Sequence, residues 1–336
     1  MSYKVLLIPG DGIGPEITQA VLRVVDAAAA KAKADINWIF VSAGLSALEE
    51  GDELIPERTM NEISRCKVAL KGPCTTPVGE GFTSVNVRLR KAFNLYAAVR
   101  PVRSLPGVET RYKDIDIVII RENTEGLYSG VENEITPGVV MSMKVASEVA
   151  CQRISSWAFK FANRRERKKV TMLHKANIMK STSGLFLSTG REISQAYPDI
   201  AFEEMIVDNC AMQLVMNPER FDIIVTTNLF GDILSDLCAG LIGGLGLAPG
   251  ANLGHDHAIF EAVHGSAPDI AGLGIANPTA LLLAAAMMLD HLGLGDAAAR
   301  LRGAIKQTLT QGKCKTSDLG GDASTEQYTQ ALVRAL

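Results

Sequence analysis

Six cysteines, at 66, 74, 151, 210, 238 and 314, form no CxxC pair and follow no regular spacing. That absence excludes a disulfide scaffold or a zinc knuckle and reads most of them as small apolar residues in a reducing compartment. No apolar run is long enough for a membrane span: ALLLAAAMML at 280–289 falls well short of the ~20 residues required. The run in MSYKVLLIPGDG is too short for a signal peptide, and a strand followed by a turn accounts for it. An excess of one charge is missing too, since a net charge of −3 offers no attraction for nucleic acid or an acidic membrane. No repeat, low-complexity tract or long linker divides the 336 residues. With 47% hydrophobic and 21% charged residues, what remains is a cytoplasmic, globular, enzyme-like chain without nucleic-acid or membrane partners.

The chain opens as strand (4–8), tight turn PGDGIG (9–14) and helix, with Pro15 and Glu16 suited to the first helical turn. The glycines read GxGxGP, not GxGxxG, and no acidic residue ends a clear second strand. An ordinary Rossmann site is therefore not expected, although the turn can still wall a ligand. Further strands are predicted at 36–41, 67–71, 95–102 and 115–121, with helical patterns between several of them. That alternation predicts an α/β protein with a largely parallel sheet. Residues 128–146 read as a hairpin around ENEITPG, a candidate arm for pairing with a second subunit. RRERKK at 164–169 reads as a solvated helix end. Strand and helix alternate again through 170–240. AIFEAVHG (258–265), helices near 278–292 and 295–311 and a C-terminal helix complete the chain.

The centre of the pattern is NLFGDILSD (228–236), a helix following the buried strand FDIIVTTN (221–228). Asp232 and Asp236 stand at i and i+4, so their carboxylates share one face and repel unless a cation lies between them. A hard divalent ion with oxygen ligands, Mg2+ or Mn2+, fits better than two solvated aspartates beside a buried strand and the Gly-rich LIGGLGLAPGAN (241–252). Arg90, Arg100 and Arg121 lie at or near ends of predicted elements, and together would suit a substrate with several carboxylates. Ser84 and Asn86 precede them at a helix start, where Ser84 is also readable as an N-cap. Tyr128 alone reads as packing. Lys175, at a strand's C-terminal end near cations, could have its pKa lowered enough to accept a proton. Asp208 is explicable as a helix N-cap, and the Gly–Ser–Ala turn after His264 could wrap a nucleotide. The HDH at 255–257 and His291 read as surface residues.

Read in order, IPGDGIGPE, RENTEGLYSG, HKANIMK, NLFGDILSD and HGSAPDIAG resemble the β-decarboxylating dehydrogenases of hydroxy acids over about residues 4–336. The resemblance implies a two-domain α/β dimer of the isocitrate/isopropylmalate dehydrogenase type, with a non-Rossmann sheet. It implies a large cofactor-binding domain from 1–95 and 243–336. It also implies a small domain from 96–242, with an intersubunit arm near 127–146. TSVNVRLR matches the isocitrate pattern, in which Ser84 and Asn86 hold the extra carboxylate, while isopropylmalate enzymes carry apolar residues there. Arg90, Arg100 and Arg121 then match carboxylate clamps, Tyr128 and Lys175 the catalytic acid–base pair, and Asp208, Asp232 and Asp236 the metal ligands. Lys175 and Asp208 are implied to serve the neighbouring subunit's site of a homodimer.

The same match places Thr75, Asn86, His264, Gly265, Ser266, Ala267, Pro268, Asp269, Ile270 and Asn277 around the cofactor. A carboxylate at Asp269 accepts from the ribose hydroxyls of NAD and repels the 2′-phosphate of NADP, so NAD is expected. Homoisocitrate differs by one methylene, a discrimination of only roughly 1–3 kcal/mol, and stays open as a substrate. A non-catalytic regulatory subunit is the reading from another class, and the completeness of the site argues against it.

Overall fold

Val5–Ile8 are fully buried, so the opening strand β1 (Ser2–Ile8) is covered on both faces, as a continuous apolar run requires. The computed structural model describes residues 2–78 and 81–336. Helix α1 (Gly14–Lys31) follows the tight turn, with Pro15 and Glu16 in its first turn. The chain continues through β2 (Asp35–Phe40), α2 (Leu45–Glu49), α3 (Glu57–Cys66), β3 (Val68–Lys71), α4 (Val85–Ala92), β4 (Ala97–Arg103) and β5 (Asp116–Glu122). The predicted hairpin is present as β6 (Glu132–Thr136) and β7 (Val139–Ser142), a separate two-stranded sheet. Next come α5 (Glu148–Arg164), β8 (Lys169–His174), α6 (Thr182–Ser194), β9 (Ala201–Ile206), α7 (Val207–Met216), β10 (Ile223–Thr226) and α8 (Asn228–Leu241). The last part holds β11 (Pro249–Leu253), β12 (Ala258–Ala262), α9 (Thr279–His291), α10 (Gly295–Gln311) and α11 (Thr325–Ala335).

Ten strands form one sheet in the order β2-β1-β3-β12-β11-β4-β5-β10-β8-β9. The expected parallel pairing holds on both flanks and fails in the middle. There β11 runs antiparallel to β12 and to β4, and β4 antiparallel to β5. The cause is connection length, because β4–β5 and β11–β12 are joined without the helical crossover that parallel neighbours need. The Gly-rich segment 241–252 thus hides a central strand, one whose Pro249 and Gly250 carry little β-propensity.

Alternation along the strands sorts the core into layers. Val5, Leu7, Val99, Val118 and Phe260 meet α1, α5, α9 and α10 on one face. On the other face Leu6, Ile8 and Ile259 meet α3 and α4, and Ile117, Ile119 and Ile224 meet α7 and α8. The result is an α/β/α arrangement. The charge run at 164–169 is less solvated than expected. Arg167 pairs with Asp116 at 2.6 Å and Asp222 at 2.7 Å, and Asp222 also accepts the Lys168 and Lys169 amides. Three adjacent strands are tied together there, because a guanidinium fork can serve two carboxylates at once.

Candidate active site

Lys71 ends β3, Arg90 lies in the last turn of α4, Arg100 lies within β4 and Glu261 within β12. All four converge. Glu261 accepts from Lys71 Nζ at 2.9 Å, Arg90 Nη2 at 3.3 Å, Arg100 Nη2 at 3.5 Å and Asn252 Nδ2 at 2.7 Å. Three cations face one carboxylate, so the cluster carries an excess of +2 (3 − 1) in a buried setting. Arg90 Nε and Arg100 Nε and Nη1 are buried without any acceptor. Unpaired donors of this kind are costly and mark where anionic oxygens belong. Burial pushes the Arg100 guanidinium down to about 10. Burial would raise Glu261, but Lys71, Arg90 and Arg100 more than offset it and hold the carboxyl well below its usual range. Gly250 makes the geometry possible, since a Cβ there would lie 1.8 Å from Arg100 Nη1.

Asn86 lines the same small cavity as Lys71, Arg90 and Glu261, and its Oδ1 is buried without a partner. Ser84 does occupy the N-cap position of α4, yet its side chain makes no capping bond, which leaves the half-buried hydroxyl free.

A second cluster adjoins the first. Arg121, near the end of β5, donates through Nε and Nη2 to Asn228 Oδ1 at 2.9 and 2.7 Å, while Nη1 pairs with Asp232. Tyr128 donates its hydroxyl to Asp232 and lies over the Arg121 guanidinium at 5.1 Å. Burial would raise Asp232, but Arg121 and the Tyr128 hydroxyl outweigh it and lower the carboxyl. At Asp236, burial and the Asp232 charge both act upward and prevail. Burial raises Tyr128 as well, assisted by its bond to Asp232. Arg90 acts on both Arg121 and Asp232, so the two clusters share one field.

The pair Asp232 and Asp236 fits a hard divalent cation in donor type: all ligands are oxygens, and among the described residues Asp236 forms no ion pair. Among the described residues, no three His, Cys, Asp or Glu side chains form a metal-binding group. The expected third ligand, Asp208, is instead bonded to Lys175 Nζ at 2.6 Å. Asp208 is not the N-cap it was also readable as, for Ile206 holds that position and Asp208 lies inside the first turn of α7.

The candidate cofactor residues gather where the β1–α1 turn meets the segment 264–277. Ile13 N donates to Ser266 O at 2.9 Å, and Thr75 Oγ1 and Ser266 Oγ are 2.7 Å apart. Burial lowers His264, whose Nδ1 faces Gly265 O at 2.9 Å and whose Nε2 is buried without a partner. Ala267 takes a positive φ of 39°, which turns the chain toward the exposed Pro268 and Asp269. Ile270 and Asn277 flank this loop, Asn277 Nδ2 donating to Asp318 at 2.9 Å.

Sequence reasoning missed Lys71, Asn252, Asn228 and Glu261. A glutamate within the apolar run AIFEAV was a usable signal, because a carboxylate at such a position needs a cation. It also missed Asp11, which accepts from Thr75 N at 2.8 Å and Ser46 N at 3.0 Å and so positions Thr75.

Residues 4–332 match the family model described as isocitrate/isopropylmalate dehydrogenase. The chain belongs to this family. It is 52% identical to a Dictyostelium discoideum protein named as a mitochondrial regulatory subunit of NAD isocitrate dehydrogenase, covering 99% of this chain and 92% of the relative. It is 49% identical to an Arabidopsis thaliana protein named as a mitochondrial catalytic subunit of the same enzyme, covering 97% and 86%. The crystal structure of isocitrate dehydrogenase from Methylococcus capsulatus superposes with a TM-score of 0.95 at 52% identity, covering 99% of both chains. The expected family fold is therefore borne out. The cytoplasmic expectation is overturned, since both curated relatives, and others at similar identity, are mitochondrial by name. Unpaired cysteines signal only a reducing compartment and do not say which one.

Proposed function

We propose that the chain oxidatively decarboxylates isocitrate to 2-oxoglutarate and CO2, reducing NAD to NADH with the aid of Mg2+ or Mn2+. The observation that carries this is the buried excess of cations with orphan N–H donors around Arg90 and Arg100. A ligand with several carboxylates would satisfy it. Arg121 adds a third guanidinium, and the free Ser84 hydroxyl and Asn86 amide supply a polar wall in place of an apolar one.

Asp232 and Asp236, with Asp208 of a second copy, would hold the metal, which supplies charge stabilisation at the substrate's C2 oxygen. Thr75, Asn86, 264–270 and Asn277 would hold NAD, which would supply the hydride acceptor. Lys175 takes the C2 hydroxyl proton as the alcohol is oxidised. The arginines hold the carboxylates so that the bond to the departing CO2 group is free to break. Tyr128 then protonates carbon through the hydroxyl that it otherwise donates to Asp232. A Tyr128→Phe variant should lose formation of 2-oxoglutarate by ~10²-fold or more while still reducing preformed oxalosuccinate. Equal losses in both half-reactions would remove Tyr128 from the protonation step.

The sheet supports a division into residues 1–95 with 243–336 and residues 96–242. The boundary falls between the neighbouring strands β11 and β4. A homodimer is supported by apolar surface on the hairpin, where Ile135 and Val140 are 60% and 68% exposed, and on α7 and α8, where Met216 and Ile233 are 63% and 58% exposed.

Asp269 is exposed, as a side chain reaching the cofactor's ribose would have to be. Asp269→Lys with Ile270→Tyr should move the NAD/NADP ratio of kcat/KM toward NADP by ~10-fold or more. An unchanged ratio would misplace the ribose. The function itself is tested by NADH formation from isocitrate with Mn2+, repeated with NADP, homoisocitrate and isopropylmalate. Highest kcat/KM with isocitrate and NAD is expected. Silence with every substrate from a folded dimer would favour a regulatory subunit, the role named in the Dictyostelium relative.

A further inference from the structure

The face of the sheet opposite the substrate cluster carries a second opening. Helix α5 packs over β5, β8 and β10, and α9 packs over β3, β11 and β12. Between them lies a groove of about 680 Å³, within the range of small-molecule sites. Its floor is made by the alternate residues of the strands that build the active site. Val99 and Pro101 line the groove while Arg100 between them turns to Glu261 on the other face, and Ala251 and Phe260 line it while their neighbours Asn252 and Glu261 meet on that other face. The groove is thus a separate site, one sheet thickness away. The apolar faces of α7 and α8 lie on the other side of the sheet, so a second copy docked there leaves it open.

Its walls are aromatic and its rim is basic. Trp157 and Phe161 of α5 are stacked, with centroids 5.2 Å apart and planes at 18°, and both are only half-buried. Across the groove, Phe260 and His291 lie with centroids 5.6 Å apart. Arg103, Arg164, Arg165, Arg167 and Arg302 line the opening against a single lining carboxylate, Asp290. Arg103 and Arg167 are held by Asp116 and Asp222, and Arg302 by Asp290. Arg164 and Arg165 have no carboxylate within ion-pair distance among the described residues. They are the free cations of the rim.

We propose that this groove binds a planar aromatic ring carrying a phosphate. The ring enters beside Trp157 and Phe161, where flat apolar area is available at little entropic cost. The phosphate is taken by Arg164 and Arg165, whose guanidinium forks match its oxygens. Trp157, Phe161, Arg164 and Arg165 take no part in the proposed catalytic reaction.

The probe is 1-naphthyl phosphate, added to the full-length chain with saturating NAD so that the cofactor site is filled. Trp157 is one of two tryptophans, and Trp38→Phe leaves it as the only reporter. Saturable change in Trp157 emission is expected, with 1-naphthol and inorganic phosphate each binding about tenfold more weakly or worse. Arg164→Glu with Arg165→Glu should weaken the probe by about tenfold or more with an unchanged circular dichroism spectrum. Titration calorimetry on the wild-type chain reads the same binding if the Trp38→Phe variant fails to fold. No saturable binding, loss of binding on adding NAD, or full affinity in the charge-reversed variant would each overturn the proposal.

Discussion

A chain bearing Lys175→Met, mixed with one bearing Tyr128→Phe, should recover activity that neither has alone. Each substitution by itself removes a proton-transfer group and should lower kcat by ~10²–10⁴, with NAD binding retained. Within one subunit, Lys175 is bonded to Asp208, whereas Tyr128 is bonded to Asp232 in the arginine-rich site. Among the described residues Asp208 joins no carboxylate cluster. On the proposed dimer, a complete site would take Lys175 and Asp208 from a second copy, docked through the exposed apolar hairpin and α7–α8 surfaces. In a mixed dimer one of the two sites is wholly intact. Random reassortment makes half of the dimers mixed, so about a quarter of wild-type activity should return after co-refolding, by the symmetry of a twofold dimer. No recovery, with mixed dimers shown by mass spectrometry, would place both groups in one subunit's site.

Glu261→Gln should cost about 3–5 kcal/mol of stability, the scale for breaking a buried ion pair from one side. Lys71, Arg90 and Arg100 would remain buried with no carboxylate to neutralise them. The measurement is the denaturant midpoint of wild type and variant across pH. Glu261 is lowered on folding from an ordinary value near 4.5. Its contribution is therefore fully present above that value and is lost as pH falls through the lower folded one. The gap between the two proteins should be constant near neutrality and narrow in acid. A difference under about 1 kcal/mol, the range of an exposed pair, would mean that the cluster is relaxed by water. Isocitrate should stabilise the wild type if, as proposed, its carboxylates accept from the orphan donors of Arg90 and Arg100.

Much of this site was readable in one dimension because its determinants are local. The i,i+4 spacing of Asp232 and Asp236 places both on one helix face whatever the rest of the chain does. The KVLLI run needs cover on both sides, and β1 has it. The motifs from IPGDGIGPE to HGSAPDIAG carried the family and, through Ser84, Asn86 and Asp269, the expected substrate and cofactor. The compartment was misjudged because cysteine usage reports redox poise and not location.

Residue order and spacing account for the alternation of elements, the helix carrying the aspartates and the set of groups available for the chemistry. Only the tertiary structure decided that β11 reverses the sheet, that Glu261 gathers cations from 71, 90 and 100, and that Gly231 lets Arg121 lie against α8, where a Cβ would come within 2.6 Å of Arg121 Cγ. Those outcomes rest on partners up to 190 residues apart in sequence (261 − 71). Their energies come from burying charge together and from close packing, and a local pattern that marks a buried charge does not name its partners.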